Sequence, residues 1–460
     1  MTRELNRPME LNRKKVLIVG LGKSGVASAR FLNRRGADVT VTDTADEAHL
    51  GPAVAEVRGL GIPLELGGHR RATFEKADFI VVSPGVPHTI APLQQARAQG
   101  IPVLGELELA CRFSTEPIVA VSGTNGKTTT TTLLGLMLKD SGRDVFVGGN
   151  IGAPLIGHVD SGRQVDLIVV EVSSFQLDTS TTFRPRVAVL LNIAPDHLDR
   201  YPDFKAYVAS KCRLFQNQGP GDTAIVNGAD RRLLAQCQPL AGHTLFFNDR
   251  QAAEEGADIE TDRIVLRAKD RAPLHLPLAA ANLVGRHNQE NIAAASLAAL
   301  AAGATEDGLL SALGRFQGLP HRLEALGTLN GVRYINDSKA TNIDAVARAL
   351  ECFDQPVVLI MGGRTKGDDF KVLAHPLQRH VKRLIALGEA QATIVAALGA
   401  VVPISKARTM DDAVRQAQAV AQPGETVLLS PACASFDMYN NYAERGDHFR
   451  AVFRDLAEAN

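Results

Sequence analysis

Gly123-Thr124-Asn125-Gly126-Lys127-Thr128-Thr129 holds the residues best suited to chemistry in this chain. A β-rich apolar run, Ile118 to Val121, leads into it, and the helical pattern of Leu133, Leu134, Leu136, Met137 and Leu138 follows. A strand, a glycine loop and a helix in that order cradle phosphate. Backbone N–H groups approach the anion and the helix N-terminus adds a positive field. Lys127 can reach terminal phosphates, and the Thr128 hydroxyl can ligate Mg²⁺. Val121 stands where the usual loop has its first glycine, so the loop is a shortened variant.

Two further constellations fit phosphoryl chemistry. Glu171 ends the apolar run Leu167 to Val170, and in a parallel sheet the carboxyl ends of strands face the ligand crevice. A glutamate there can hold Mg²⁺ beside phosphates. Asn192, Asp196, His197 and Asp199 follow a second such run, where a histidine between aspartates suits a site better than a core. Lys211 is the third signal. At ~100° per residue, Phe204, Tyr207, Val208, Lys211 and Phe215 share one helix face. An inward lysine is costly unless paired, neutralised or modified. The alternative is a lysine at the edge of the stripe that snorkels to water.

The first block carries a more ambiguous motif. Gly20-Leu21-Gly22-Lys23-Ser24-Gly25 follows a strand and opens a helix, and Asp43 ends the next strand. Alone this reads as a dinucleotide turn. Any diphosphate suits such a turn, a sugar nucleotide included, and so does a purely structural role.

The elements that must position these residues alternate strand and helix almost throughout, which predicts α/β architecture with parallel sheets. Three blocks are expected: 1–105, 106–318 and 319–460, with GLPHR and the turn-rich NGVR near the last boundary as short linkers. A length of 460 residues suits that number of domains. Fifty basic and fifty acidic residues cancel, which argues against a nucleic-acid footprint. The polar N-terminus lacks a signal-peptide core and predicts a short disordered lead before Lys14. No apolar run approaches the ~20 residues of a spanning helix, so neither membrane insertion nor a location outside the cytoplasm is expected. Five cysteines without a CxxC pair fit a reducing compartment and argue against a disulfide framework and a structural zinc site.

Taken together, GTNGKTT, VEVSSFQLD, NIAPDHLDRY, the inward Lys211, GRHNQENIAAA, GLPHRLE, INDSKATN and SPACASFD resemble the Mur ligase family in content and order. They span Gly123 to Asp437, and with GLGKSG the resemblance covers essentially the whole chain. It implies a Rossmann-like N-terminal domain for a UDP-muramyl precursor, a central P-loop ATPase-like domain and a Rossmann-like C-terminal domain for the incoming amino acid. Carried over position by position, the resemblance implies that Gly123 to Thr129 hold ATP phosphates. Asn288 and Asn291 lie near adenine and ribose, and Arg322 and Asp337 engage ATP from the third domain. Thr128 and Glu171 serve one Mg²⁺. His197 and a carbamate formed on Lys211 from CO₂ serve a second. Gly22, Lys23, Ser24, Asp43, Thr44, Ser83, Asn150 and His197 contact the UDP substrate. Lys339, Thr341, Lys366, Ser435 and Tyr442 match the family's D-glutamate pocket, where a dicarboxylate needs cations and hydroxyl donors.

The implied reaction is ATP-dependent ligation of D-glutamate to UDP-N-acetylmuramoyl-L-alanine through an acyl phosphate, by a monomer. Ala45 stands where a basic residue is expected near the UDP phosphates, and Tyr442 where better-known members have phenylalanine. The competing readings are a sibling ligase for another amino acid, a non-synthetic ATP-binding regulator and an NAD oxidoreductase. The last leaves the second and third blocks unexplained.

Overall fold

The computed structural model describes residues 9–237, 239–248, 255–269, 272–281, 283–367 and 369–459. Residues 1–8 of the expected disordered lead lie outside them.

Among the described residues, three sheets carry the chain. The first has five parallel strands in the spatial order Leu64–Glu65, Asp38–Thr42, Lys15–Val19, Phe79–Val82 and Val103–Gly105. The order reverses beside Lys15–Val19, and the GLGKSG turn leaves the carboxyl end of that strand, where such sheets bind ligands. Phe79–Val82 is buried along its whole length, as expected for a strand covered on both faces.

The second sheet has nine strands. Ile118–Ser122, which feeds the glycine loop, lies centrally between Leu167–Glu171 and Val187–Leu190, and all three are fully buried. The outer end departs from the all-parallel expectation. Gly256–Ile259, Arg263–Arg267 and Leu274–Pro277 pair antiparallel as a meander. Their connections are too short for a crossover helix, which leaves antiparallel pairing as the only option.

The third sheet has six strands, with Val357–Gly362 buried throughout at its centre. Its edge pair, Glu324–Leu329 and Val332–Asn336, is antiparallel. Asn330 (φ 51°) and Gly331 (φ 79°) turn the chain between them. Two successive left-handed residues make the hairpin turn whose twist matches the strands. The NGVR segment, expected as a linker, is therefore a hairpin turn inside the third sheet.

By contact density the chain forms two compact units. One contains 1–193, 205–280 and 291–314; the other contains 194–204, 281–290 and 315–460. The first two sheets share the first unit. There, the Lys23–Arg34 helix packs against Leu155–Ser161, and Arg34 pairs with Asp160 at 2.9 Å. The second unit is built on the third sheet, with one apolar cluster around Leu359, Phe370 and Leu384 and another around Ile360, Val414 and Phe449. Alternate residues of the central strand feed the two clusters, as the period of a strand requires.

One cysteine expectation is overturned. Cys212 and Cys237 are bonded, with Cα atoms 5.2 Å apart and a sequence separation of 25. Each ends a helix, Phe204–Cys212 and Arg231–Cys237, and sequence spacing does not show that two helix ends meet.

Candidate functional site

The glycine loop is held from several sides. Gly123 (φ 149°) and Gly126 (φ 83°) adopt conformations that favour glycine, and a Cβ on Gly126 would collide with the Asn291 amide. Asn192 clamps the loop: its backbone carbonyl accepts from Thr124 N (3.0 Å), its side-chain oxygen accepts from Asn125 N (2.9 Å), and its amide donates to Asn125 O (3.1 Å). Thr124 Oγ1 lies 3.1 Å from the Tyr207 hydroxyl. The Lys127–Asp140 helix starts at the loop, so its first N–H groups face the cradle. Lys127 Nζ folds back over it, donating to the carbonyls of Gly123 (2.9 Å) and Thr124 (2.8 Å). Thr129 is buried behind it.

Glu171 and Thr128 meet beside the cradle. Thr128 Oγ1 donates to Glu171 Oε2 at 2.7 Å, and Asn150 Nδ2 donates to Glu171 Oε1 at 2.7 Å. Asn150 comes from the GGNIG loop, where Gly149 (φ 97°) lies so close to the Glu171 carbonyl that a side chain would not fit. This is an oxygen-rich pair next to a phosphate cradle, the donor chemistry that suits Mg²⁺ with phosphate and water completing the shell. Among the described residues there is no group of three His, Cys, Asp or Glu side chains able to hold a metal ion alone.

Lys211 is 2% exposed, so its place on the apolar face is real. Nζ donates to Gly123 O at 2.8 Å and lies 4.9 Å from the Tyr207 ring centroid. Lys211 and Lys127 thus both donate to the Gly123 carbonyl of the loop. Asn291 belongs to the same unit, its amide oxygen within 3.3 Å of Thr130 Oγ1.

The UDP-substrate candidates surround the first sheet's glycine turn. Asp43 accepts from Leu21 N (2.7 Å) and from Ala45 N (2.9 Å), so its carboxylate fixes the turn. Ser83 Oγ donates to Gly20 O at 2.7 Å and braces it from the neighbouring strand. Gly22, Lys23 and Thr44 are exposed, and Ser24 is half-buried.

The remaining candidates lie in the second unit. Asp196 and Lys366 form an ion pair at 3.0 Å, with Asp196 8% and Lys366 16% exposed. Asn342 Nδ2 donates to the other Asp196 oxygen at 3.2 Å. Burial pushes the Asp196 carboxyl up, but Lys366, His197 and Asn342 more than offset it and hold it below its ordinary value. His197 has a left-handed backbone (φ 57°), and its ring lies 3.8 Å from Asp196. Asp337 accepts from Leu323 N (3.2 Å) and Ser430 Oγ (2.9 Å), yet burial lifts its carboxyl to about 7 against those bonds and Arg322. Lys339 Nζ stands 3.8 Å over the Tyr442 ring, a cation–π contact. Ser435 is buried, and Thr341 and Arg322 are half-buried. Asn288, at the start of the Arg286–Ala301 helix, donates to Val284 O at 2.8 Å.

Sequence reasoning missed the residues that brace these groups. Arg445 is 2% exposed and donates to Ser338 Oγ (3.0 Å), Ser338 O (2.9 Å), Cys433 O (3.1 Å) and Gly362 O (3.4 Å). It ties together the loops bearing Lys339, Lys366 and Ser435. Burial with few counter-charges pulls its guanidinium down to about 10. Asn192 and Tyr207 stood out only as a strand-end polar residue and a helix-face aromatic; their hold on the loop leaves no spacing signature.

Three family descriptions match in order: "Mur ligase MurD-like, N-terminal domain" over 14–105, "Mur ligase middle domain" over 121–299, and "Mur ligase, glutamate ligase domain" over 321–433. The chain is 54% identical to a UDP-N-acetylmuramoylalanine–D-glutamate ligase from Desulfosudis oleivorans, over 98% of each chain. It is 48% identical to one from Desulfatibacillum aliphaticivorans, over 97% of this chain and 100% of that protein. The fold is shared with a pseudomurein peptide ligase type C from Methanothermus fervidus (18% identity, TM-score 0.63, covering 96% of this chain and 100% of that one). It is also shared with a MurF ligase from Thermotoga maritima in complex with ADP (17% identity, TM-score 0.62, covering 100% of each). The glycine cradle, the sheets that carry it and the near full-length identity agree: the chain belongs to the Mur ligase family.

Proposed function

We propose that this protein ligates D-glutamate to UDP-N-acetylmuramoyl-L-alanine, consuming ATP and releasing ADP and phosphate, as a cytoplasmic step of peptidoglycan precursor synthesis by a monomer. The observation that carries the reading is the glycine cradle with Lys127 folded over it and Thr128 and Glu171 beside it. The curated relatives bearing that reaction's name support the choice of substrates.

In this reading 1–105 holds the UDP sugar, with Asp43 and Ser83 fixing the turn that Gly22, Lys23, Ser24 and Thr44 present to the diphosphate. Residues 106–318 hold ATP and 319–460 hold the amino acid. Glycine-loop N–H groups and Lys127 neutralise the phosphate oxygens as charge moves during transfer. The alanyl carboxylate attacks the γ-phosphorus and becomes an acyl phosphate, a far better electrophile than a carboxylate. The amine of D-glutamate then attacks that carbonyl and phosphate leaves. Lys339, Thr341, Lys366, Ser435 and Tyr442 hold the D-glutamate carboxylates. Asn288 and Asn291 flank the nucleoside, and Arg322 and Asp337 approach the phosphates from the third domain.

Thr128 and Glu171 would hold one Mg²⁺, and His197 with a carbamate on Lys211 a second. Bound Mg²⁺ screens charge on the phosphates. The buried position of Lys211 beside the loop supports the carbamate, since CO₂ addition would replace the inward cation by an anion that a neighbouring Mg²⁺ would neutralise.

Replacing Lys127 with alanine should abolish ADP release in the presence of both substrates. Near-normal product formation by that variant would remove the mechanism. Added bicarbonate should raise the activity of the wild-type enzyme, and a fully active Lys211→Arg enzyme would exclude the carbamate.

A further inference from the structure

The bond between Cys212 and Cys237 is not used by the proposed reaction, yet it lies next to its machinery. Cys212 directly follows Lys211 and closes the Phe204–Cys212 helix. Cys237 closes the Arg231–Cys237 helix. Each helix is separately attached to the glycine loop or its clamp. Lys211 donates to the Gly123 carbonyl. Asp230, just before the second helix, accepts from Ile193 N (3.1 Å) and from Leu233 N (3.1 Å), beside the Asn192 clamp. The bridge therefore joins two supports of one loop. The Cα separation of 5.2 Å falls inside the range a disulfide accepts, so this backbone accommodates the bond. As residues, Cys212 is half-buried and Cys237 is 8% exposed, which makes Cys212 the first candidate for attack on an external partner and Cys237 the resolving residue.

We propose that Cys212 and Cys237 form a reversible thiol–disulfide exchange site, with a low-molecular-weight or protein disulfide as oxidant, whose bridge steadies the glycine loop through Lys211 and Asp230. The Cys212 thiolate attacks one sulfur of the external disulfide and expels a thiolate. The Cys237 thiolate then attacks the Cys212 sulfur of the mixed disulfide and expels the second. Two protein thiols are oxidised to one disulfide, the external disulfide is reduced, and the two protein protons end on the two expelled thiolates, which leave as thiols. The consequence for ligation rests on the function proposed above; the bond and its exchange do not.

The test uses the full-length protein equilibrated with glutathione at graded oxidised-to-reduced ratios. Thiol labelling with peptide mass mapping follows the Cys212–Cys237 link. Deuterium exchange of the 120–130 segment follows the loop, and ADP release follows activity. The expected result is a link that forms and is lost with the ratio in the folded protein. Loop exchange should be slower and the KM for ATP lower in the bridged form. Cys237→Ser, and separately Cys212→Ser, should fold, turn over like the reduced protein and lose all dependence on the ratio. Absence of the link at every ratio, or a link that reducing glutathione and dithiothreitol leave intact in the folded protein, overturns the exchange. A reversible link with identical loop exchange in both forms overturns the coupling. Failure of the ligase reading would show separately, as no ADP release with D-glutamate in either form while the link still responds.

Discussion

Glu106 should make the junction between the first and second sheets sensitive to pH. It opens the short Glu106–Cys111 helix immediately after the Val103–Gly105 strand and is 1% exposed. Oε1 accepts from Ile156 N at 2.7 Å, at the start of the helix that follows the Asn150 loop. Oε2 is buried without a hydrogen-bond partner among the described residues. Burial raises the carboxyl from its ordinary 4.5 to about 7, against the N–H groups of Ile156 and Leu155. A carboxyl raised on folding contributes stability that is complete below its unfolded pKa and is lost as pH climbs through the folded one. The interval from 4.5 to about 7 sets the full loss at roughly 3 kcal/mol, most of it falling between pH 5 and 8. Glu106→Gln keeps an oxygen for Ile156 N, cannot ionise and puts an amide where Oε2 had no partner. The assay is deuterium exchange of the 148–161 segment at pH 5, 6, 7 and 8, corrected for intrinsic rates. Opening of the wild-type segment should become easier by about 2–3 kcal/mol from pH 5 to pH 8, and the variant should show a flat profile. Parallel profiles for the two proteins would refute the reasoning, because the same carboxyl would then be ionised at no cost.

Other perturbations probe the proposed site directly. Glu171→Gln leaves one of its two donors, Thr128 or Asn150, facing an amide and removes the charge; kcat should fall about 10–100-fold and the Mg²⁺ requirement should rise, read by coupled ADP release across a Mg²⁺ titration. Lys366→Ala leaves the Asp196 carboxylate buried beside an empty position, so the second unit should lose about 3 kcal/mol in urea denaturation and the KM for D-glutamate should rise. Because Asp196 is held below its ordinary value, the wild-type contribution is present above the ordinary carboxylate range and lost as pH falls beneath it, and the variant should lack that acid-side loss.

What could be read from sequence depended on whether a feature leaves a local pattern. The glycine loop, its strand and its helix did, because backbone conformation demands glycine at Gly123 and Gly126. The burial of Lys211 was legible as well, since one polar residue on an apolar helix face breaks a period. Asp43 was legible as the acid that ends its strand, with a ligand-facing and a structural role both open; its bonds to Leu21 N and Ala45 N, which shape the turn, were not legible. The meander ending at Pro277 and the Asn330-Gly331 hairpin were missed because alternating α/β segments elsewhere set the expectation of parallel pairing. The Cys212–Cys237 bond, the Asn192 clamp and the Arg445 brace link segments distant in sequence, and only the fold reveals them.

The central claim is that the cradle activates a UDP-muramyl-alanine carboxylate for D-glutamate. The most direct measurement supplies purified protein with ATP, Mg²⁺ and UDP-N-acetylmuramoyl-L-alanine, adds D-glutamate, L-glutamate, L-alanine or diaminopimelate in separate reactions, and follows ADP together with the mass of the UDP product. The account predicts sustained ADP release and a glutamyl adduct with D-glutamate alone. Turnover with another of these amino acids in preference to D-glutamate, or no turnover with any, would contradict it.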